Sequence, residues 1–101
     1  MERVEQAIRE IINGIKTGLS FDSHTILYEL AHNYKLIYDE FLEGKETNIA
    51  HANIARHILA NKLEKEGIIE RITWRNNEPL IHYSININNK ESENALWYKV
   101  I

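Results

Sequence analysis

Five histidines have the widest chemical reach of any residues in this 101-residue chain. Neutral imidazole is a general metal ligand, and two imidazoles four residues apart on a helix face one ion. His24 and His32 are eight apart, His51 and His57 six apart, and His82 falls in a strand-like run. No pair has the helical spacing. Glu29 and His32 stand three apart, as in di-iron bundles, but such sites need that motif twice and two further glutamates. Cysteine is absent, which excludes thiolate clusters and disulfides. No serine sits in a nucleophile elbow. Gly44-Lys45-Glu46-Thr47 lacks the glycine-rich loop and leading strand of a phosphate cradle. Asp39, Glu40 and Glu43 read as a solvated acidic face at a helix end, not a poised acid–base pair. The sequence therefore predicts no catalytic residues, no metal site, no cofactor and no enzymatic activity.

The charge balance points to binding instead. The net charge is −3, unevenly spread. Residues 1–47 carry five basic and nine acidic groups, whereas residues 48–90 carry six basic and four acidic ones. Phosphate contacts need local positive charge rather than global. Hydrophobic content of 44% and charged content of 27% are ordinary for a globular chain. No apolar run approaches the ~18 residues of a membrane span, and the opening MERVEQAIRE has no apolar signal core. A cytoplasmic location without membrane contact is the expectation.

Periodicity gives the elements. Val4, Ala7, Ile8, Ile11, Ile12 and Ile15 predict a helix over 2–17. Asp22 is a natural N-cap for a long helix over 23–43, with Phe21 and Ile26 placed as a hydrophobic staple. Its buried stripe is Leu27, Leu30, Ala31, Tyr34, Ile37, Tyr38, Phe41 and Leu42. The short piece 19–21 is able to pair as a small extra strand. A third helix runs from a Thr47 cap to about Glu66, where Gly67 ends it. Strands over 68–75 and 80–87 then pair through Asn76-Asn77-Glu78-Pro79, with Pro79 at a strand start. Ile81, Tyr83, Ile85 and Ile87 alternate with His82, Ser84 and Asn86 at period two. Residues 88–94 read as loop. The closing ALWYKVI suits helix or strand, and Ser92 as a cap tips the expectation to a short helix. One α+β, mainly helical domain spans 1–101, with its core in 20–87 and a C-terminal extension in 88–101.

The run Leu63-Glu64-Lys65-Glu66-Gly67-Ile68-Ile69-Glu70-Arg71 resembles the end of the third helix and the first wing strand in winged helix-turn-helix regulators of the MarR and PadR kind. That resemblance implies three helices followed by a two-stranded wing, with the third helix in the major groove of DNA and the wing tip at phosphate or minor groove. Carried over, the DNA-reading positions are Asn48, His51, Asn53, Arg56 and His57 on the helix, and Arg75, Asn76 and Asn77 at the tip. Asn pairs with adenine edges, and Arg with guanine or phosphate.

The chain departs from that family in two ways. The second helix is long where the family's is short. Projected at about 100° per residue, Ile49, Ala52, Ala55, Leu59 and Leu63 make one stripe, while Ile54 and Ile58 lie nearly opposite. These two, together with Trp74 and Trp97, are expected at an interface, covered by the C-terminal segment or by a second subunit. The expected partners are DNA and a second copy of the chain. A protein-binding or self-associating module without DNA binding is the alternative.

Overall fold

The computed structural model describes residues 2–78 and 80–101. Pro79, expected at a strand start, lies outside the described residues. The architecture is α+β, with helices packed on a small antiparallel sheet. Helix α1 (Glu2–Asn13) buries Val4, Ala7, Ile8 and Ile12. It stops short of the expected residue 17. The buried Lys99 ammonium donates to the carbonyls of Asn13 (3.0 Å) and Ile15 (2.6 Å), which a continuing helix would need for its own ladder. A cation at that end also meets the negative pole of the helix.

Strand β1 (Ser20–Asp22) leads directly into helix α2 (Ser23–Asn33). Asp22 caps it as expected: Oδ1 accepts from the Thr25 backbone N–H and hydroxyl, both at 2.8 Å. Phe21 and Ile26, the two staple positions, are both buried. The single long helix over 23–43 is not formed. Tyr34 (φ −132°, ψ 44°) breaks it, and helix α3 (Lys35–Leu42) follows. A straight 21-residue helix would run about 32 Å. The break lets α2 and α3 serve one core, into which Ile26, Leu27, Leu30, Tyr38 and Phe41 all fall.

Helix α4 begins at Thr47–Asn53 and continues through Ile54–Glu64 with the wider winding of a π-helix. Such runs are rare beyond a single turn, and here the winding decides which side chains face inward. Ala50, Ile54, Ile58, Leu59 and Leu63 are all buried, whereas Ile49 is 56% exposed. The chain ends this helix as the sequence predicts. Gly67 adopts φ +76°, Ile68 N–H reaches back to Leu63 O and Gly67 N–H to Glu64 O, the paired bonds of a Schellman stop.

The largest correction concerns the sheet. Strand β2 (Ile69–Arg71) does not pair with residues 80–87. It pairs antiparallel with the C-terminal segment, which is strand β5 (Leu96–Lys99) and not a helix. Strand β5 also pairs with β1, so the order is β1-β5-β2. Residues 88–101 are thus no extension, since they supply the central strand. The reason is Trp97, fully buried with Phe21 and Arg71 as its neighbours in register. It stacks on Phe21 (centroids 6.2 Å apart), takes the Arg71 guanidinium over its ring at 5.1 Å and donates Nε1–H to Glu64 at 2.8 Å. A short helix would bury part of this aromatic surface but leave the backbone edges of β1 and β2 unpaired.

Residues 80–87 belong to a separate hairpin, β3 (Tyr83–Ile85) with β4 (Glu91–Glu93). The Asn86 side-chain oxygen accepts from the Asn88 and Lys90 backbone N–H groups and closes its turn. The period-two pattern is present, but its faces are reversed. Ile81, Tyr83 and Ile85 point outward, and His82, Ser84 and Asn86 are half-buried.

Candidate functional site

Helix α4 and the turn at 75–77 are where the structure places the residues expected to read DNA. From Thr47 to Leu63 there is no aspartate or glutamate, although acids outnumber bases in the chain. Asn48, Arg56 and His57 are exposed along this helix, and Asn61 and Lys65 extend the polar surface. Among the described residues neither Arg56 nor Lys65 is in an ion pair, whereas Arg3, Arg9, Lys35, Lys62 and Arg71 all are. Arg75, Asn76 and Asn77 form an exposed 3₁₀ turn closed by a Trp74 N–H to Glu78 O bond of 2.8 Å. Asn76 and Asn77 hold φ of 58° and 62°, a left-handed pair that asparagine tolerates better than most residues. Trp74 stands exposed beside them.

Three expected site residues fall elsewhere. His51 is half-buried and spends its Nε2 on the Tyr38 hydroxyl at 2.8 Å, so it is not a free base reader. Ile54 and Ile58 are fully buried within one chain, in the same cluster as Trp97. No second subunit is needed to cover any of the three. Asn53 is partly buried.

A second polar constellation joins residues that the sequence does not tie together. It lies where the hairpin meets the start of α2. His82 Nε2 donates to Asp22 Oδ2 at 2.9 Å, while Asp22 Oδ1 is still capping the helix. His24 is held on both ring nitrogens. Asn94 Nδ2 donates to Nδ1 at 2.7 Å, which makes Nδ1 an acceptor and leaves the ring proton on Nε2, facing Ser92 Oγ at 3.1 Å. Ser84 Oγ sits 2.7 Å from the same Nδ1. Burial pushes the His24 pKa down, and the charge of His82 adds to this against the opposing pull of Asp22. Burial also lowers His51, helped by the charge of His24. For Asp22, burial alone would raise the carboxyl. The bonds from His82, the Thr25 backbone, Ser84 and the Thr25 hydroxyl together outweigh it and hold the group at about 2.

One signal for this junction was present in the sequence. His82, Ser84 and Asn86 alternate on one arm and Ser92 and Asn94 on the other, around a turn-forming Asn-Asn-Lys. A hairpin with a polar inner face fits that pattern. Beneath it lies a cleft of about 270 Å³ bounded by His24, Asn48, His51, Ser92 and Asn94. The histidines are donors and acceptors in a structural lattice, and among the described residues no three His, Cys, Asp or Glu groups gather to hold a metal.

The junction predicts acid sensitivity of definite sign. His24 and His51 titrate lower in the folded chain than unfolded, so the unfolded state takes up protons first and stability falls as pH drops below about 6.5. Asp22 contributes stability above its ordinary value of 3.8 and loses it as pH falls towards about 2. The second loss amounts to about 2 kcal/mol. Thermal melts at pH 7.5, 5.5 and 3 check this. His24→Asn should flatten the first step and leave the second. Unchanged melting between pH 7.5 and 5.5 in the parent chain would contradict it.

No protein-family model, curated protein or solved structure matches the chain. Among the described residues, no helix is long and apolar enough to cross a membrane.

Proposed function

We propose that this is a non-enzymatic winged-helix protein that binds DNA through helix α4 and the 75–77 turn and serves in transcription regulation. The observation that carries it is the acid-free outer side of α4, on which Arg56 is exposed, with exposed Lys65 just beyond its end. The connectivity supports it. Two helices and a short strand precede α3, and α3 and α4 are joined by a turn at 43–46 with Gly44 at φ +73°, the layout of a helix-turn-helix. Two strands then meet in a sheet whose centre is the last one, and in this reading the chain between them serves as the wing. One departure from the winged-helix pattern falls away, and the other becomes a fourth helix where the pattern has three. The long helix is two short ones, and Ile54 and Ile58 do not lie on the outer side of α4.

In this reading Arg56 and Lys65 contact phosphate or base edges, Asn48 and His57 face the groove, and Arg75 reaches the backbone from the wing. Three cations per chain imply a slope of log affinity against log salt of about −3. Fluorescence anisotropy on mixed duplexes at low salt measures it. Arg56→Glu should weaken binding at least tenfold and reduce the slope by about one. Binding that does not respond to salt, or no binding at all, rejects the proposal. The alternative, a module for protein contact or self-association without DNA binding, has three motives: the acidic net charge, the long second helix and the Ile54/Ile58 stripe. Ile54 and Ile58 lie in the chain's own core and the long helix is split, so the net charge of −3 is the motive that stands.

A further inference from the structure

The hairpin is built the wrong way round for a strand pair that ends at solvent. Its polar residues are turned in against α2, and Ile81, Tyr83 and Ile85 are turned out, 70%, 55% and 57% exposed. Tyr28 of α2, also exposed, lines one cleft with Ile85, so the apolar surface continues past the strand. In register, Tyr83 stands opposite Glu93 and Ile85 opposite Glu91, both exposed. Each outward rung is therefore one apolar side chain beside one carboxylate, and no lysine or arginine stands on these rungs. Exposed apolar surface of this kind marks a contact site.

The charges select the occupant. DNA is repelled by Glu91 and Glu93. A second copy meeting this face across a two-fold axis would bring two more carboxylates to the same contact and, on these rungs, no cation to meet them. A basic segment meets neither obstacle. Lysine and arginine carry long aliphatic stems with a charged head, so their stems cover apolar side chains while the heads reach a carboxylate nearby. Arginine also stacks well on a tyrosine ring. Outward residues of a strand recur every second position, about 6.8 Å apart, which matches alternate side chains of an extended partner.

We propose that the outward face of the β3–β4 hairpin docks an extended protein segment carrying arginine or lysine at alternate positions. Glu93 also lines the cleft that Asn48 and His51 of α4 border, but the proposal does not depend on DNA binding.

The test is a titration of the ¹⁵N-labelled full chain with a ten-residue peptide alternating arginine and valine, and with its glutamate–valine counterpart. The arginine peptide should give saturable shifts confined to residues 81–93 and Tyr28, and the glutamate peptide none. Glu91→Lys with Glu93→Lys should weaken binding at least tenfold, and so should Tyr83→Ser with Ile85→Ser. All four residues are exposed, so amide dispersion verifies that each variant folds. Shifts scattered over the acidic helices, or equal binding by the double variants, overturn the proposal. So does a dimer in sedimentation that Ile85→Ser disperses, which would make the second copy the occupant.

Discussion

Truncation after Ala95 should leave the chain unfolded, with a collapsed amide spectrum and no cooperative melt. The six residues removed include the central strand of the sheet, so β1 and β2 lose their common partner at once. They also include Trp97, the only tryptophan in the core, and Lys99, whose ammonium closes the end of α1. Replacing a fully buried tryptophan by alanine removes about 3–5 kcal/mol on its own. A domain of this size holds roughly 5–15 kcal/mol in all. Trp97→Ala in the full chain should therefore lower the melting temperature by more than about 12 °C. Trp97→Phe keeps most of the ring contact and gives up the Nε1 bond to Glu64, a loss nearer 1 kcal/mol. A truncated chain that kept native dispersion would show the last strand to be an appendage and the sheet order to be wrong.

That strand also marks the boundary of what the sequence made legible. Features set by neighbours in the chain were readable. Asp22 as a cap, Gly67 as a helix stop, β1 as a small extra strand and the Asn76–Asn77 turn depend on a few adjacent residues and their backbone preferences. Features set by distant partners were not. The segment 96–99 has apolar and aromatic residues that serve helix or strand equally, and its fate was decided by two open strand edges some 25 and 75 residues earlier. The alternation in 81–87 fixed which residues share a face but not which face turns inward. His82 and Ser84 went in because Asp22, His24 and Asn94 partner them, and Asn86 because its amide donates to Ser92, although Asn94 Oδ1 is left buried without a partner. The candidate DNA residues come from the winged-helix resemblance, and of these Asn48, Arg56, His57 and the 75–77 turn are exposed. His51 was missed because its partner, Tyr38, lies on another helix.

The winding of α4 yields the second large effect, a reversal between two isoleucines. At about 100° per residue, Ile54 falls roughly opposite Leu63 and Ile49 within about 40° of it. With the wider turn of the π segment, at roughly 80° per residue, Ile54 and Leu63 come to the same side. The burial follows the second geometry, with Ile54, Ile58 and Leu63 inside and Ile49 out. Ile58→Asp should therefore place a carboxylate in the core with no cation to meet it, at a loss of more than about 4 kcal/mol. Ile58→Ala should lose about 2–5 kcal/mol as the cavity term alone. Ile49→Asp, which the regular projection assigns to the core, should change stability by less than about 0.5 kcal/mol. Urea unfolding of the three variants reads the order directly. If Ile58→Asp instead left the fold intact and only changed the oligomeric state, Ile58 would belong to a subunit contact. The outer side of α4 would then no longer be free for DNA.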